Sequence, residues 1–171
     1  MIPRGSALSS ATNGSLVIAG SDPVVRRHLL ESLGVEHQSK KVSEIAARPG
    51  LYREVATLQP SVILFDVGLK PDTDALGMVS ALSGLAKVIV LAEVVDDALT
   101  IEALKAGASG VCARSTAAAL IQKAVQLVEA GEIWIGRRVI PRLIEELTTR
   151  QASPRRRRAP VALLSGHPLD C

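Results

Sequence analysis

The sequence predicts an α/β domain built on a doubly wound parallel sheet, and three observations carry that expectation. Short apolar runs recur along the chain at Leu16 to Ala19, Val62 to Phe65, Val88 to Leu91 and Gly110 to Ala113. Each is bounded by Gly, Ser, Pro or charge, and each is apolar on both faces, as a buried parallel strand requires. The segments between them place apolar residues at helical spacing. Aromatic residues make up only 2% of the 171 residues, so Val, Leu, Ile and Ala must fill the core, which suits helices stacked on a sheet.

Taken in order, residues 1–14 (MIPRGSALSSATNG) have no periodicity and read as a disordered leader. The first strand follows from Ser15. Val24, Val25, Leu29, Leu30 and Leu33 then form a helical stripe opened by Pro23, whose missing N–H costs nothing in a first turn. The stretch from Val35 to Gln59 carries the weakest pattern, with a strand expected near Val35 to Gln38 and a helix near Leu51 to Leu58. Leu76, Val79 and Leu82 form the next stripe, and Leu99, Leu104 and Ala108 belong to another that stops at Gly107. Leu120, Ile121, Ala124, Val125 and Val128 form a further helix, opened by Ser115 or Thr116 as N-cap and closed by Gly131.

Strand alternating with helix implies right-handed crossovers and a five-stranded sheet in the flavodoxin-like order. Beyond it, Val139, Ile140, Leu143, Ile144 and Leu147 give one more amphipathic helix, from about Arg138 to Arg150, with Pro141 in its first turn. The organisation expected is therefore a leader (1–14), a domain (15–131), a linker helix (132–150) and a disordered basic tail (151–171).

The formal charge is +3, but five of the twenty Lys and Arg residues lie from Arg150 onward and face only Asp170. Residues 1–149 hold 15 basic and 16 acidic side chains, a net of −1, so the domain has no nucleic-acid footprint. Arg155 to Arg158, without aromatic neighbours or helical context, read as a solvated run, with no specific DNA binding expected of this chain alone. Cys112 and Cys171 have neither the number nor the spacing of a disulfide framework or zinc site. No signal-peptide core and no membrane-spanning apolar run occur. A cytoplasmic location follows as the expectation.

In an open parallel sheet the functional crevice lies beyond the carboxyl ends of the strands. That rule selects Gly20, Ser21 and Asp22 after the first strand and Asp66, Val67 and Gly68 after the third. It also selects Ala92 and Glu93 after the fourth, and Arg114 after the fifth. Taken alone, Asp66 reads equally well as a turn or capping residue.

The segments LVIAGSDPVVRRHLLESL, PSVILFDVGL, KVIVLAE, ALKAGASGVCARS and VQLVEAGEIWIG occur in that order. With them the chain resembles, over about residues 15–150, the receiver domain of NarL/FixJ (LuxR-type) response regulators. The resemblance implies the five-stranded receiver fold, a role in two-component phosphorelay signalling and transcription regulation, a histidine kinase or other signalling protein as partner, and Asp66 as phosphoacceptor. It also implies Mg²⁺ held by acidic residues after the first strand, by the acceptor Asp and by a backbone carbonyl two residues on, here that of Gly68. A hydroxyl residue after the fourth strand and a Lys after the fifth bind the phosphoryl oxygens in that family.

Much of this equipment is altered. The acidic pair falls on Gly20 and Ser21, leaving Asp22 one place further on, so Mg²⁺ binding through Asp22, Asp66 and Gly68 is expected to be weak. The hydroxyl position falls on Ala92 and the Lys position on Arg114, which is cationic but planar and longer. The aromatic position is Val111. Lys70, in the loop GLKPDTD, is either a stand-in cation or a solvated loop lysine, and Glu93 either replaces lost acidity or decorates a helix start.

Two readings follow: an active phosphoacceptor, or a degenerate receiver acting as a protein-interaction or dimerisation module with no catalytic residues, the one favoured here. A flavodoxin-like enzyme is disfavoured, because residues 20–24 lack a phosphate cradle and three aromatics are few for stacking a flavin. The family's helix-turn-helix effector is expected to be missing, since only 21 residues follow Arg150. That leaves either a stand-alone receiver or a truncated DNA-binding regulator. The apolar stripe of the linker helix is expected to form a homodimer.

Overall fold

The computed structural model describes residues 14–34, 41–46, 49–68 and 73–152. Five parallel strands, β1 (Leu16–Gly20), β2 (Val42–Ala46), β3 (Val62–Asp66), β4 (Lys87–Ala92) and β5 (Gly110–Ala113), form one sheet in the order β2-β1-β3-β4-β5. The connecting helices are α1 (Pro23–Gly34), α2 (Leu51–Leu58), α3 (Thr73–Ser83), α4 (Asp97–Lys105) and α5 (Ala118–Glu129). A last helix, α6, spans Val139–Ala152.

Period-two alternation sorts the strand residues onto two cores. Val17, Ala19, Ile63, Phe65, Val88, Val90 and Val111 face the side covered by α2, α3 and α4, with Leu51, Val55, Val79, Leu82 and Leu99 packed among them. Leu16, Ile18, Val62, Leu64, Ile89, Leu91 and Cys112 face α1 and α5, through Leu29, Leu33, Ile121, Ala124, Val125 and Val128. All residues of β1 and β3 are buried, which is why these strands are near-continuous apolar runs.

The structure corrects several expectations. The second strand is Val42–Ala46, not residues 35–38, which lie outside the described residues. It is an edge strand in which only Ile45 is fully buried, so VSEIA lacks the doubly apolar pattern of its neighbours. Neither Ser115 nor Thr116 caps α5; Ala117 precedes it and no side chain bonds its first turn. Val24 and Leu120, expected within apolar stripes, are 74% and 49% exposed. Gly107 and Gly131 do follow α4 and α5, with φ of 102° and 91°, a left-handed geometry that glycine adopts without a Cβ penalty.

The β5 edge is partly covered. Val111 donates its N–H to the Trp134 carbonyl at 2.9 Å, and Trp134 donates to Ser109 at 2.9 Å, making a parallel bridge at Gly110. A Cβ on Gly110 would sit 3.1 Å from Cβ and O of Trp134, a tight contact that glycine avoids. Burial pushes the Cys112 thiol up to about 11, and a hydrogen bond with Trp134 offsets part of that rise. The protonated thiol is therefore the resting form, with the properties of a small core side chain.

The chain divides at Val139 into two compact units. In the second, Ile140, Ile144 and Leu147 of α6 are 44%, 57% and 54% exposed and recur at helical spacing on one face. Among the described residues no helix is long and apolar enough to cross a membrane.

Candidate functional site

Strand order reverses at β1 and β3, because β2 lies on one side of β1 while β3 and its successors lie on the other. The crevice at their carboxyl ends is the place a doubly wound sheet offers for chemistry. Gly20 and Asp66 are register partners there. Asp66 ends a fully buried strand, so its backbone is fixed by β1 and β4 on both sides, and its side chain has no exposed surface.

Arg114 follows β5 and is anchored by its own N–H, which donates to the Ala92 carbonyl at 2.8 Å. Its guanidinium reaches back across the sheet end. Nε donates to Oδ1 of Asp66 at 2.7 Å and Nη2 donates to Oδ2 at 2.6 Å, a two-pronged pairing in which each carboxylate oxygen has its own donor. Nη1 donates to Oε2 of Glu93 at 3.3 Å and lies 4.0 Å from Oδ2 of Asp22. With 15% of its side chain exposed, Arg114 closes the mouth over Asp66. The Asp66 hydrogen bonds hold the guanidinium pKa above its ordinary value, against the opposing effect of its partial burial.

Asp22 has a second task. Its Oδ1 accepts from the N–H groups of Val24 at 2.9 Å and Val25 at 3.4 Å, capping α1 directly before Pro23. Gly20 explains why no acidic side chain stands at the end of β1: a Cβ there would come 2.7 Å from Cβ of Asp66. Its carbonyl is also occupied, accepting from Nη1 of Arg26 at 2.5 Å. Arg26 is 8% exposed, and its Nε donates to Glu44 of β2 at 2.9 Å.

The structure brings Asp66, Arg114, Glu93 and Asp22 together around one guanidinium. Ala92 ends β4 fully buried, and its contribution is the carbonyl that anchors Arg114. Gly68 lies two residues past Asp66 with φ of 83°. Lys70 lies outside the described residues. Sequence reasoning missed Arg26; an arginine directly after the apolar pair Val24 and Val25 was its only signal, and its partner Glu44 sits on the strand that was misplaced.

Mg²⁺ needs oxygen ligands in near-octahedral array, and these residues do not fit it. Both Asp66 oxygens are bound by Arg114, Asp22 is committed through Oδ1 to α1, and Gly20 and Ser21 bring no carboxylate. Among the described residues no group of three or more His, Cys, Asp or Glu is placed to hold a metal ion. Of the expected weak metal set of Asp22, Asp66 and Gly68, Asp66 pairs with arginine and Asp22 caps a helix.

Comparison with solved structures identifies the fold as that of response-regulator receiver domains. A LuxR-family two-component response regulator from Aurantimonas superposes with a TM-score of 0.59 at 20% identity, covering 79% of this chain and 98% of that one. The isolated receiver domain of RcsB from Salmonella enterica serovar Typhimurium, solved with the phosphomimetic BeF₃⁻, gives 0.60 at 20% identity, covering 77% and 98%. The receiver domain of the response regulator NarL from Mycobacterium tuberculosis gives 0.58 at 20%, covering 70% and 98%. In sequence, the chain is 25% identical over 133 residues to the transcriptional regulatory protein LnrK of Bacillus subtilis. The match takes in 77% of this chain and spans 60% of the length of that relative. No protein-family model matches the sequence.

Proposed function

We propose that this chain is a receiver-type module of two-component signal transduction, serving transcription regulation through protein contacts without a phosphoryl switch. The observation that carries the reading is the two-pronged Asp66–Arg114 pair. A carboxylate attacks phosphorus through a free oxygen lone pair, in line with the leaving group, while cations offset the repulsion between anions. Here both oxygens are already hydrogen-bonded and the side chain is sealed from solvent. The residue at the hydroxyl position, Ala92, has no group to bind a phosphoryl oxygen. The module is non-catalytic and works in the cytoplasm, with a histidine kinase or another signalling protein as its partner.

Acetyl phosphate and Mg²⁺ followed by intact-mass measurement tests the reading. The parent protein is expected to keep its unmodified mass. A phosphorylated peak that disappears in Asp66→Asn would favour the alternative, an active phosphoacceptor.

The same module dimerises through α6. Ile140, Ile144 and Leu147 leave an apolar stripe open, and a helix of this length gains little stability in isolation. A second copy suits it. Two-fold antiparallel pairing about the point between Leu143 and Ile144 sets Ile140 against Leu147, uniting the apolar layers of the two copies. Light scattering is expected to show a homodimer at micromolar concentrations, weakened by Leu143→Asp with Leu147→Asp; a monomer at high concentration would reject it.

A further inference from the structure

We infer that Arg114 is a built-in cation, standing in the electrostatic place of a divalent ion, so that this receiver fold is metal-independent and becomes metal-responsive only when the guanidinium is removed. The inference deepens the reading above and rests on it.

Three carboxylates converge on one guanidinium. Asp66 is bound through both oxygens at 2.7 and 2.6 Å, Glu93 lies at 3.3 Å, and Asp22 at 4.0 Å. A fixed positive charge amid that much negative charge has the task a hard cation would have: it lets a buried carboxylate stay ionised beside acidic neighbours. Asp66 has no exposed side-chain surface, so without a counter-charge its ionised form would be costly.

The β1 side of the crevice is closed to a metal in the same way. Nη1 of Arg26 donates to the Gly20 carbonyl, the neighbour of Asp66 across the β1–β3 register, and Glu44 balances that second guanidinium. An arriving divalent ion would meet two resident positive charges and find no free oxygen on Asp66. In water such an ion keeps its hydration shell, and Mg²⁺ gives that shell up reluctantly.

Removing the Arg114 guanidinium changes the balance. Asp66 would then hold two unpaired oxygens, the half-exposed Glu93 side chain, at 49%, is free to turn inward, and Asp22 keeps its Oδ2 toward the site while Oδ1 caps α1. Carboxylate oxygens freed in this way are the ligands that a hard divalent cation prefers.

The test titrates MgCl₂ and MnCl₂ into the 171-residue chain, its Arg114→Ala variant and its Arg114→Lys variant, with NaCl at matched ionic strength as control. Melting temperature and calorimetric heat are the readouts. The parent and the lysine variant are expected to show no metal-specific rise in melting temperature. The alanine variant is expected to rise with metal, with affinity stronger than the parent's by about tenfold or more. If the alanine variant does not fold alone, refolding by MgCl₂ but not by matched NaCl is the supporting outcome. Specific Mg²⁺ binding by the parent, or an alanine variant indifferent to both metals, would overturn the inference. Acetyl phosphate labelling of a parent that ignores Mg²⁺ would overturn only the reading of a module without a phosphoryl switch, so the two failures are separable.

Discussion

Replacing Arg114 with alanine in metal-free buffer is expected to lower the unfolding free energy by about 3–5 kcal/mol, the usual cost of breaking a buried ion pair from one side. The size comes from what is left behind. Asp66 has no exposed side-chain surface and loses both hydrogen-bond donors at once. That leaves a buried carboxylate without a counter-charge. Glu93 and Asp22 lose a partner too, but both are partly exposed and water replaces it cheaply. Lysine at the same position restores charge without the planar fork, so Arg114→Lys is expected to recover only part of the loss. Chemical denaturation monitored at Trp134 measures both, since this is the only tryptophan in the chain.

Gly20→Asp is expected to be the second large effect, about 3 kcal/mol or more of destabilisation, although the resemblance to receiver domains implies an acidic residue at that position. Two causes act together. Any Cβ at residue 20 would sit 2.7 Å from Cβ of Asp66, and both belong to central strands that cannot separate without breaking the β1–β3 ladder. The added carboxylate would also face that of Asp66, and like charges at such range cannot both ionise cheaply. Gly20→Ala isolates the steric part and is expected to cost about 1–3 kcal/mol. Denaturant melts of the two variants separate these contributions; a Gly20→Asp protein as stable as the parent would show that the crevice relaxes more than this packing allows.

The central strands were legible because burial on both faces leaves an unbroken apolar run, and LVIA, VILF, VIVL and GVCA mark β1, β3, β4 and β5 to within a residue or so. β2 was not, because an edge strand with one buried residue looks like a polar loop. Helix α2 was placed correctly by topology more than by pattern, whereas Val24 and Leu120 show that an apolar residue on a helix need not lie on its buried face. At the site, the rule that function gathers beyond the carboxyl ends of strands selected Asp66, Asp22, Glu93 and Arg114, and these do meet. Their pairing was not legible. Sequence placed Arg114 as a binder of phosphoryl oxygens and Asp22 as a metal ligand. Which donor reaches which oxygen depends on side-chain length and on the gap left by Gly20, neither of which a linear pattern encodes.

The most direct test of the account is a double-mutant cycle on Asp66→Asn and Arg114→Gln, with unfolding free energies measured for the parent, both single variants and the pair. If the guanidinium is the resident counter-charge of Asp66, the double variant will lose less than the two single losses added together, with a coupling of about 2 kcal/mol or more, beyond the roughly 0.5 kcal/mol scatter of independent sites. Additivity within that scatter would mean that Asp66 does not depend on Arg114, and would contradict the account.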